Sequence, residues 1–281
     1  MSFVAIGLVL LSGFVHAIWN LFAKKSMNKH VFLWLCYATS VLVFSPYLWT
    51  EGTSLTHVHS SEWLVIAASV GLHGAYIYML AVTYEIGDLS QVYPIMRGTS
   101  PLLVPFIGVL VLGEQLRLLG WFGVACIVFG IYIAGNLRLS GLWHRRNRAI
   151  WLALCVGVLI TTYTVVDKVA IRSVPPQLLT ELTNIGNFLT LSLIVMRQQG
   201  IKKEWRMNWR TIVLGGVLSP GGYILFLKAM ALSPVSQLAP MREIGTVFGT
   251  VMGVFLLHEP QGRKRLWASV LITAGVVLLA Q

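Results

Sequence analysis

Two similar stretches, SQVYPIMR at 90–97 and SQLAPMR at 236–242, decide the fold of this chain. Each places a proline and an arginine well inside an apolar segment. A guanidinium in hydrocarbon is costly, and a proline frees backbone carbonyls that lipid cannot satisfy. Because both features recur at matching places in two halves of the chain, they indicate a polar cavity between the halves.

The composition is typical of a membrane protein. Of the 281 residues, 56% are hydrophobic and only 11% are charged, and the mean hydropathy is +0.75. A soluble domain of this length needs more polar surface. The formal net charge of +11 lies in short clusters between apolar stretches, as in loops that face the cytoplasm, so we expect no nucleic-acid partner. We expect a multi-pass, lipid-embedded protein of the cell membrane, here the bacterial inner membrane.

Ten segments are long and apolar enough to cross about 30 Å of hydrocarbon, which takes about 20 residues. The first has no basic residue before it and runs into His16 and Asn20, so we expect a membrane helix and not a cleaved signal peptide. The predicted spans are 3–23, 31–49, 63–84, 89–112, 118–133, 150–169, 178–196, 212–232, 235–257 and 266–280, with the longest polar connections at 136–148 and 197–210.

The two halves align with a shift of 145 residues, which places Arg97 on Arg242 and Glu114 on Glu259. Because each half holds an odd number of spans, the second half enters the membrane in the opposite orientation. Chance similarity among leucine-rich segments is the alternative. The predicted fold class is an all-α integral membrane protein of ten transmembrane helices in two inverted five-helix repeats. Its organisation is a first repeat at 1–135, a basic connecting loop at 136–149 and a second repeat at 150–281.

Four stretches resemble a known family. They are GDLSQVYPIMRGTSP (87–101), VLVLGEQLRLLGWFGVACIVFGIYI (109–133), VFLLHEPQGRKRLWASVLITAGVVLL (254–279) and the opening FVHAIWNLFAKKS (14–26). Together they resemble the EamA domain of the drug/metabolite transporter superfamily. The resemblance implies a ten-helix carrier with helices one, three, four, six, eight and nine around a cavity and helices five and ten outside it. It identifies no substrate, because similar proteins are described as moving amino acids, sugars, nucleotide-linked compounds, amines and drugs.

The two intramembrane arginines are the first candidates for substrate binding. Arg97 and Arg242 are expected to reach the cavity, where each offers a planar, always charged fork to a carboxylate or phosphate. The alternative is a structural role, with each arginine paired to a nearby acid or to carbonyls freed by Pro94 and Pro240. The sequence leaves both interpretations open.

Glu243 is the first candidate for a carboxyl that titrates during transport or meets a substrate amine. It directly follows Arg242, and adjacent helical residues point about 100° apart, so its partner must lie elsewhere. In the alignment of the halves it falls on Gly98, which breaks the symmetry. A structural ion pair is the alternative.

Other polar and aromatic side chains inside the spans form a second group of candidates. Trp19 and Tyr163 align with each other, and aromatic residues at paired positions are able to stack on a flat or cationic solute group. Interfacial anchoring or lipid contact is the alternative for any one of them. The candidate substrate-binding residues of this group are His16, Trp19, Asn20, His73, Tyr76, Tyr93, Tyr163 and Lys228, and Tyr78, Asp167 and Lys168 are further polar residues within the spans.

Two other patterns concern packing and orientation. Gly245, Gly249 and Gly253 form a stripe that favours close approach of a neighbouring helix, either as a moving contact or as a static crossing. Lysine and arginine fall almost entirely in the odd-numbered connections, which predicts that these connections are cytoplasmic and that both termini face outward. Related transporters are commonly drawn with cytoplasmic termini, so the charge pattern and the resemblance disagree.

The sequence does not favour an enzyme, a metal site or a bound cofactor. His258 and Glu259 are followed by Pro260 and lack the second histidine of a zinc-binding helix, and there is no phosphate loop or dinucleotide glycine run. The three cysteines lack paired or metal-ligand spacing and are expected to be small buried hydrophobes.

The sequence therefore predicts a secondary active carrier, with export expected over uptake, that works by alternating access. Its expected solutes are small polar metabolites such as amino acids or other anionic or zwitterionic compounds, with a coupling proton and a homodimer as possible partners. The alternatives are a carrier of organic cations or hydrophobic drugs, a membrane-embedded enzyme and a non-transporting membrane subunit. Substrate, coupling ion, direction and oligomeric state are not determined by the sequence.

Overall fold

A computed structural model describes residues 2–86, 89–134, 148–196, 198, 200–257 and 262–281. Helices account for nearly all of these residues, and no strand occurs among them. The predicted connecting loop lies outside the described residues up to position 147, as do His258, Glu259 and Pro260. The helices are α1 (Phe3–Lys25), α2 (Lys29–Phe44), α3 (Pro46–Thr50), α4 (Ser60–Ile86), α5 (Leu89–Leu112), α6 (Leu118–Ala134), α7 (Arg148–Ala170), α8 (Pro176–Val195), α9 (Ile201–Leu232), α10 (Val235–Met241), α11 (Ile244–Leu257) and α12 (Gly262–Ala280), with a 3-10 turn at Gly52–His57.

The helices confirm the predicted fold class of a ten-helix membrane protein. Within the described residues, seven helical segments are long and apolar enough to cross a membrane. Two shorter apolar helices lie at Leu118–Ile133 and Leu266–Ala280, and α10 and α11 together cover the predicted ninth span. Each repeat contributes five of these segments.

The predicted ninth span, 235–257, is a broken helix in the structure. Pro240 has no N–H to donate, and α10 ends one residue later at Met241. The amides of Glu243 and Gly245 then close short turns onto the carbonyls of Pro240 and Arg242, at 3.0 and 3.1 Å. The break therefore falls at Arg242 and Glu243. Both residues belong to the interruption between α10 and α11.

The helix that carries the eighth span begins before that span, because the polar stretch at 201–210 is also helical. Glu204 is buried and accepts hydrogen bonds from the Asn28 backbone N–H at 3.0 Å and from Asn208 Nδ2 at 2.7 Å. This carboxylate fastens the start of α9 to the turn between α1 and α2. The backbone kinks at Asn208 (φ −123°, ψ 15°), which separates the polar first part of α9 from its membrane-spanning part.

The expectation that all three cysteines are buried is wrong for one of them. Cys36 is buried and Cys126 is partly buried, but Cys155 is exposed on α7. It lies at helical spacing with Trp151 and Val158, which are 60% and 48% exposed. Cys155 therefore belongs to an outward-facing apolar surface. In a membrane this surface would contact lipid and not protein.

Helices of the two repeats pack mainly on one another. α1 packs on α9, α5 on α7, and α4 on α7 and α8, so the centre of the molecule is built from both halves. α6 and α12 pack together at the side, where a Cβ on Gly123 would lie 2.7 Å from the carbonyl oxygen of Gly275. Only residues without side chains allow that approach. The arrangement leaves α1, α4, α5, α7, α9 and the break between α10 and α11 around the centre.

Candidate functional site

Arg97 on α5 is held on three sides. Its Nη1 lies 3.3 Å from Oε1 of Glu243, and its Nη2 contacts Nε2 of His16 on α1. Its Nε donates to the hydroxyl of Tyr93, one helical turn earlier, at 3.4 Å. The Arg97 and Glu243 side chains are 17% and 8% exposed, so the pair is shielded from bulk water. This bridge joins the two repeats and supplies the partner that Glu243 lacked beside it in sequence.

Arg242 is placed differently, against aromatic rings. Its guanidinium carbon lies 4.5 Å from the ring centroid of Phe226 and 5.3 Å from that of Tyr223, both on α9. Such contacts stabilise a cation through the negative face of the ring. Within the described part of the chain Arg242 forms no ion pair, and its buried Nε has no hydrogen-bond partner. The positive charge of Arg242 is therefore uncompensated by contact with an acid, in contrast to that of Arg97.

A second polar cluster surrounds Asp167 on α7, whose side chain is fully buried. Oδ1 accepts a hydrogen bond from Ser69 Oγ at 2.5 Å, and Oδ2 lies 2.9 Å from Nε2 of His73, both on α4. The hydroxyl of Tyr223 also donates to Oδ2. We call Ser69, His73, Asp167 and Tyr223 the aspartate cluster.

Tyrosine rings connect the aspartate cluster to the arginines. The ring of Tyr163 lies 4.1 Å from that of His73 and 5.4 Å from that of Tyr76, measured between centroids. Tyr223 of the aspartate cluster lies with its ring 5.3 Å from the guanidinium carbon of Arg242, and Glu243, the next residue in the chain, pairs with Arg97. The two arginines and the aspartate cluster therefore line one continuous central region.

The remaining candidates from the sequence have separate placements. On α1, the ring of Trp19 stacks on His16 at 5.8 Å between centroids, and its buried Nε1 has no hydrogen-bond partner among the described residues. Asn20 is partly buried on the same helix. Lys228 is exposed and is not among the residues that the structure brings to this region. Lys168 points to the end of α9, where its Nζ donates to the carbonyls of Met230 and Ser233.

Sequence reasoning missed three residues of the region: Ser69, Tyr223 and Phe226. One signal was available, because Tyr223 aligns with Tyr78 at the shift of 145 that relates the halves. Tyr78 is 48% exposed, so the two tyrosines occupy unlike environments. Ser69 and Phe226 carried no comparable signal. Among the described residues there is no group of three or more His, Cys, Asp or Glu side chains that is able to hold a metal ion.

Comparison with known proteins identifies the family. The sequence profile of the EamA-like transporter family matches residues 3–135 and again residues 147–281. The chain belongs to the EamA-like transporter family. The match covers both halves of the chain, and the six elements that line the central region correspond to the helices that the earlier resemblance implied. This EamA-family protein is a transporter and not an enzyme.

Individual relatives are more distant. The EamA-family chain is 23% identical over 222 residues to a protein of Lactobacillus johnsonii that is provisionally named a sugar uptake protein, covering 75% of this chain and 72% of that protein. A Listeria monocytogenes protein with a similar provisional name is 26% identical over 212 residues, covering 70% and 68%. A crystal structure with 15% identity matches 98% of this chain and 94% of the other, with a TM-score of 0.71. That likeness shows the fold alone.

Proposed function

We propose that this transporter carries small polar metabolites with an acidic group, such as amino acids or other anionic or zwitterionic solutes. The observation that supports this most is the state of Arg242, whose charge has no acidic partner and whose Nε has no hydrogen bond among the described residues. A buried charge without a partner is costly, and a solute carboxylate supplies both the charge and the acceptors.

The surroundings of Arg242 favour a defined binding geometry. The rings of Phe226 and Tyr223 position the guanidinium, and we assign its N–H groups to a planar acceptor of the solute. Arg97 is already engaged by Glu243, His16 and Tyr93, so we assign it the role of holding the second repeat at the site. We assign contacts with the rest of the solute to the rings of Tyr76 and Tyr163 and to the indole of Trp19.

The proposal is tested by transport into proteoliposomes with purified protein. The solutes are radiolabelled L-glutamate, succinate, L-leucine, D-glucose and tetraethylammonium, each with and without a pH gradient. Wild-type protein should carry at least one solute that has a carboxylate. Arg242→Gln should lower the apparent affinity of the transporter for that solute roughly 10- to 100-fold. This corresponds to the loss of one charge-assisted hydrogen bond of about 1.5–3 kcal/mol.

Two further variants make the test specific. Arg242→Lys keeps the charge and loses the planar fork, so it should fall between wild type and Arg242→Gln. Lys203→Gln removes an exposed charge on α9 and should leave transport unchanged. Flux of tetraethylammonium alone, unaffected by Arg242→Gln, would instead support the organic-cation alternative.

A second candidate function is sugar transport. The names of the Lactobacillus and Listeria relatives favour it, and neutral sugars are also bound by aromatic faces and hydrogen-bonding side chains. In that case D-glucose flux would persist in Arg242→Gln while the acidic solutes would not be carried by wild type.

The finer features of transport belong to the same proposal. We propose export as the working direction, checked by efflux from preloaded cells against uptake, the direction for which the two relatives are named. We also propose a coupling proton. A homodimer is tested by native mass spectrometry of the purified transporter.

A further inference from the structure

We infer that His73 and Asp167 form the binding site of the coupling proton, and that Tyr223 links this site to the solute charge at Arg242. The inference rests on the proposed function, because it requires an acidic group to bind at Arg242. It concerns residues other than the Arg97–Glu243 pair. From the sequence, Glu243 was the first candidate for a carboxyl that titrates during transport.

The geometry is that of a proton-binding pair. Asp167 is fully buried and is surrounded by donors: Ser69 Oγ at 2.5 Å, His73 Nε2 at 2.9 Å and the Tyr223 hydroxyl. When Nε2–H of His73 donates to the carboxylate, Nδ1 is the ring nitrogen that accepts a proton. The step forms one N–H bond on Nδ1 and breaks it again on release, with water as the source and the acceptor of the proton.

Tyr223 connects the proton site to the arginine. Its hydroxyl donates to Oδ2 of Asp167, while its ring lies 5.3 Å from the guanidinium carbon of Arg242 and 5.4 Å from the His73 ring. One side chain thus touches both charges. Displacement of the Arg242 guanidinium on solute binding would change the position of Tyr223 and with it the contacts of Asp167.

The charges of the central region give the direction of the coupling. Arg97 pairs with Glu243, and Tyr223 contacts both Arg242 and Asp167. A bound carboxylate adds one negative charge to this region, and a proton on His73 offsets that charge where an added net charge is costly. His16 lies beside the cation Arg97, whereas His73 lies beside the anion Asp167, so the added proton is better placed on His73. One proton therefore crosses with each bound solute molecule in the same direction, so export proceeds down an outward solute gradient.

The other titratable groups around the pair belong to the same region or lie on the neighbouring helix α8. α8 packs on α4 and carries Glu181, whose Oε2 accepts from Asn184 of the same helix at 3.3 Å and whose buried Oε1 has no hydrogen-bond partner among the described residues. The neighbouring groups are Tyr76 on α4, Arg97 on α5, Tyr163 and Lys168 on α7, Tyr223 on α9, Glu181 on α8, and Arg242 and Glu243 at the break between α10 and α11.

The first test needs no solute. The imidazole signals of 15N-histidine-labelled protein in lipid nanodiscs are followed by NMR between pH 5 and pH 9, and the His73 signal is assigned by its absence in His73→Gln. Arg242→Gln removes the positive charge as a bound carboxylate would neutralise it, so the pH dependence of the His73 signal should differ between this variant and wild type.

Matched variants decide the outcome. Asp167→Asn should also change the pH dependence of the His73 signal, and Lys203→Gln should leave it unchanged. A His73 signal that does not titrate, or that ignores Arg242→Gln, overturns the inference and leaves the proposed solute class untouched. If His73→Gln fails to fold, His73 is assigned instead as the histidine signal that changes in both Asp167→Asn and Arg242→Gln but not in Lys203→Gln.

The second test measures proton movement with the five solutes of the transport panel. Pyranine trapped in the proteoliposomes should report one proton entering with each molecule of L-glutamate or succinate, beyond the signal of vesicles without protein. His73→Gln should lose this proton signal and net accumulation, yet retain exchange of labelled for unlabelled solute. Solute entry without a proton in wild type overturns the inference. Absence of any solute flux refutes the proposed function instead, and the NMR titration still decides the proton site.

Discussion

Arg97 and Glu243 form an ion pair across the two repeats, with Nη1 and Oε1 3.3 Å apart and 146 positions apart in the chain. Glu243 also accepts a hydrogen bond from Thr246 Oγ1 at 3.3 Å, so the carboxylate ties α5 to the start of α11. Alternating access in a transporter of two repeats requires the repeats to move relative to each other, and this pair lies on their boundary.

Removal of either partner of this pair should destabilise the protein. Arg97→Gln or Glu243→Gln leaves a shielded charge unpaired, and a loss of about 3–5 kcal/mol in the free energy of unfolding is expected for a buried pair. The double variant Arg97→Gln with Glu243→Gln should recover most of that loss. Thermal unfolding in detergent measures all three. Additive losses in the double variant would show that the two residues do not interact.

The contact between Gly13 on α1 and Gly245 on α11 should tolerate no side chain. A Cβ on Gly245 would lie 2.8 Å from the carbonyl oxygen of Gly13, and a Cβ on Gly13 would lie 2.8 Å from Cγ2 of Ile244. Gly245→Ala is therefore expected to cost about 1–3 kcal/mol through overpacking. Thermal unfolding and solute flux are the measurements.

Gly249 supplies the matched control for that crossing. The predicted stripe placed Gly245, Gly249 and Gly253 together, but nothing lies within 4 Å of a Cβ on Gly249, so close approach occurs at Gly245 and not there. The side-chain environment of Gly253 lies outside the described residues. Gly249→Ala should leave stability unchanged or raise it, since alanine favours helix over glycine. An equal loss in both variants would mean that the helix contact is not the cause.

Glu114 should matter for transport although it lies outside the central region. Gly113 has a φ of +68°, which ends α5 and turns the chain so that Glu114 accepts the backbone N–H groups of Val235 and Ser236, each at 2.8 Å. This carboxylate caps α10, the short helix that leads to Arg242. Glu114→Ala is expected to cost about 1–2 kcal/mol and to reduce solute flux, with Glu114→Gln intermediate because it keeps one acceptor. Unchanged flux in Glu114→Ala would show that α10 keeps its position without the cap.

Lys168 is expected to have a structural role in place of solute binding. Its Nζ donates to the carbonyl of Ser233 at 2.9 Å and to that of Met230, which satisfies the C-terminal end of α9. Lys168→Met should lower stability by about 1–3 kcal/mol, because two carbonyls lose their donor, without changing which solutes are preferred. Lys203→Gln, at an exposed lysine of α9, is the control and should not alter the melting temperature. A change of solute preference in Lys168→Met would place this lysine in the binding site.

The membrane fold was predictable because its cause is local. Whether a stretch of about 20 residues tolerates hydrocarbon depends on its own side chains, so the spans were found with small errors at their ends. The larger errors arose where a tertiary contact decides the backbone. The buried Glu204 fastens the start of α9 to Asn28, a partner far away in the sequence.

The candidate site was only partly predictable. The rule that adjacent helical residues diverge excluded Arg242 as the partner of Glu243 but was unable to supply Arg97. Asp167 was one polar residue among many until the structure placed Ser69, His73 and Tyr223 around it. The role of Phe226 was not predictable, because apolar residues are common in membrane spans. Only the structure shows that the guanidinium of Arg242 lies on its ring.

The sequence by itself determined that this protein is a duplicated helical membrane protein with two arginines inside it, because the cost of charge and of free carbonyls in lipid is a property of each segment. Only the tertiary structure decided that the two arginines differ, one paired with Glu243 and the other lying on aromatic rings without an acid. That difference depends on distances between helices of opposite repeats, and electrostatic interactions in a region shielded from water change steeply with such distances.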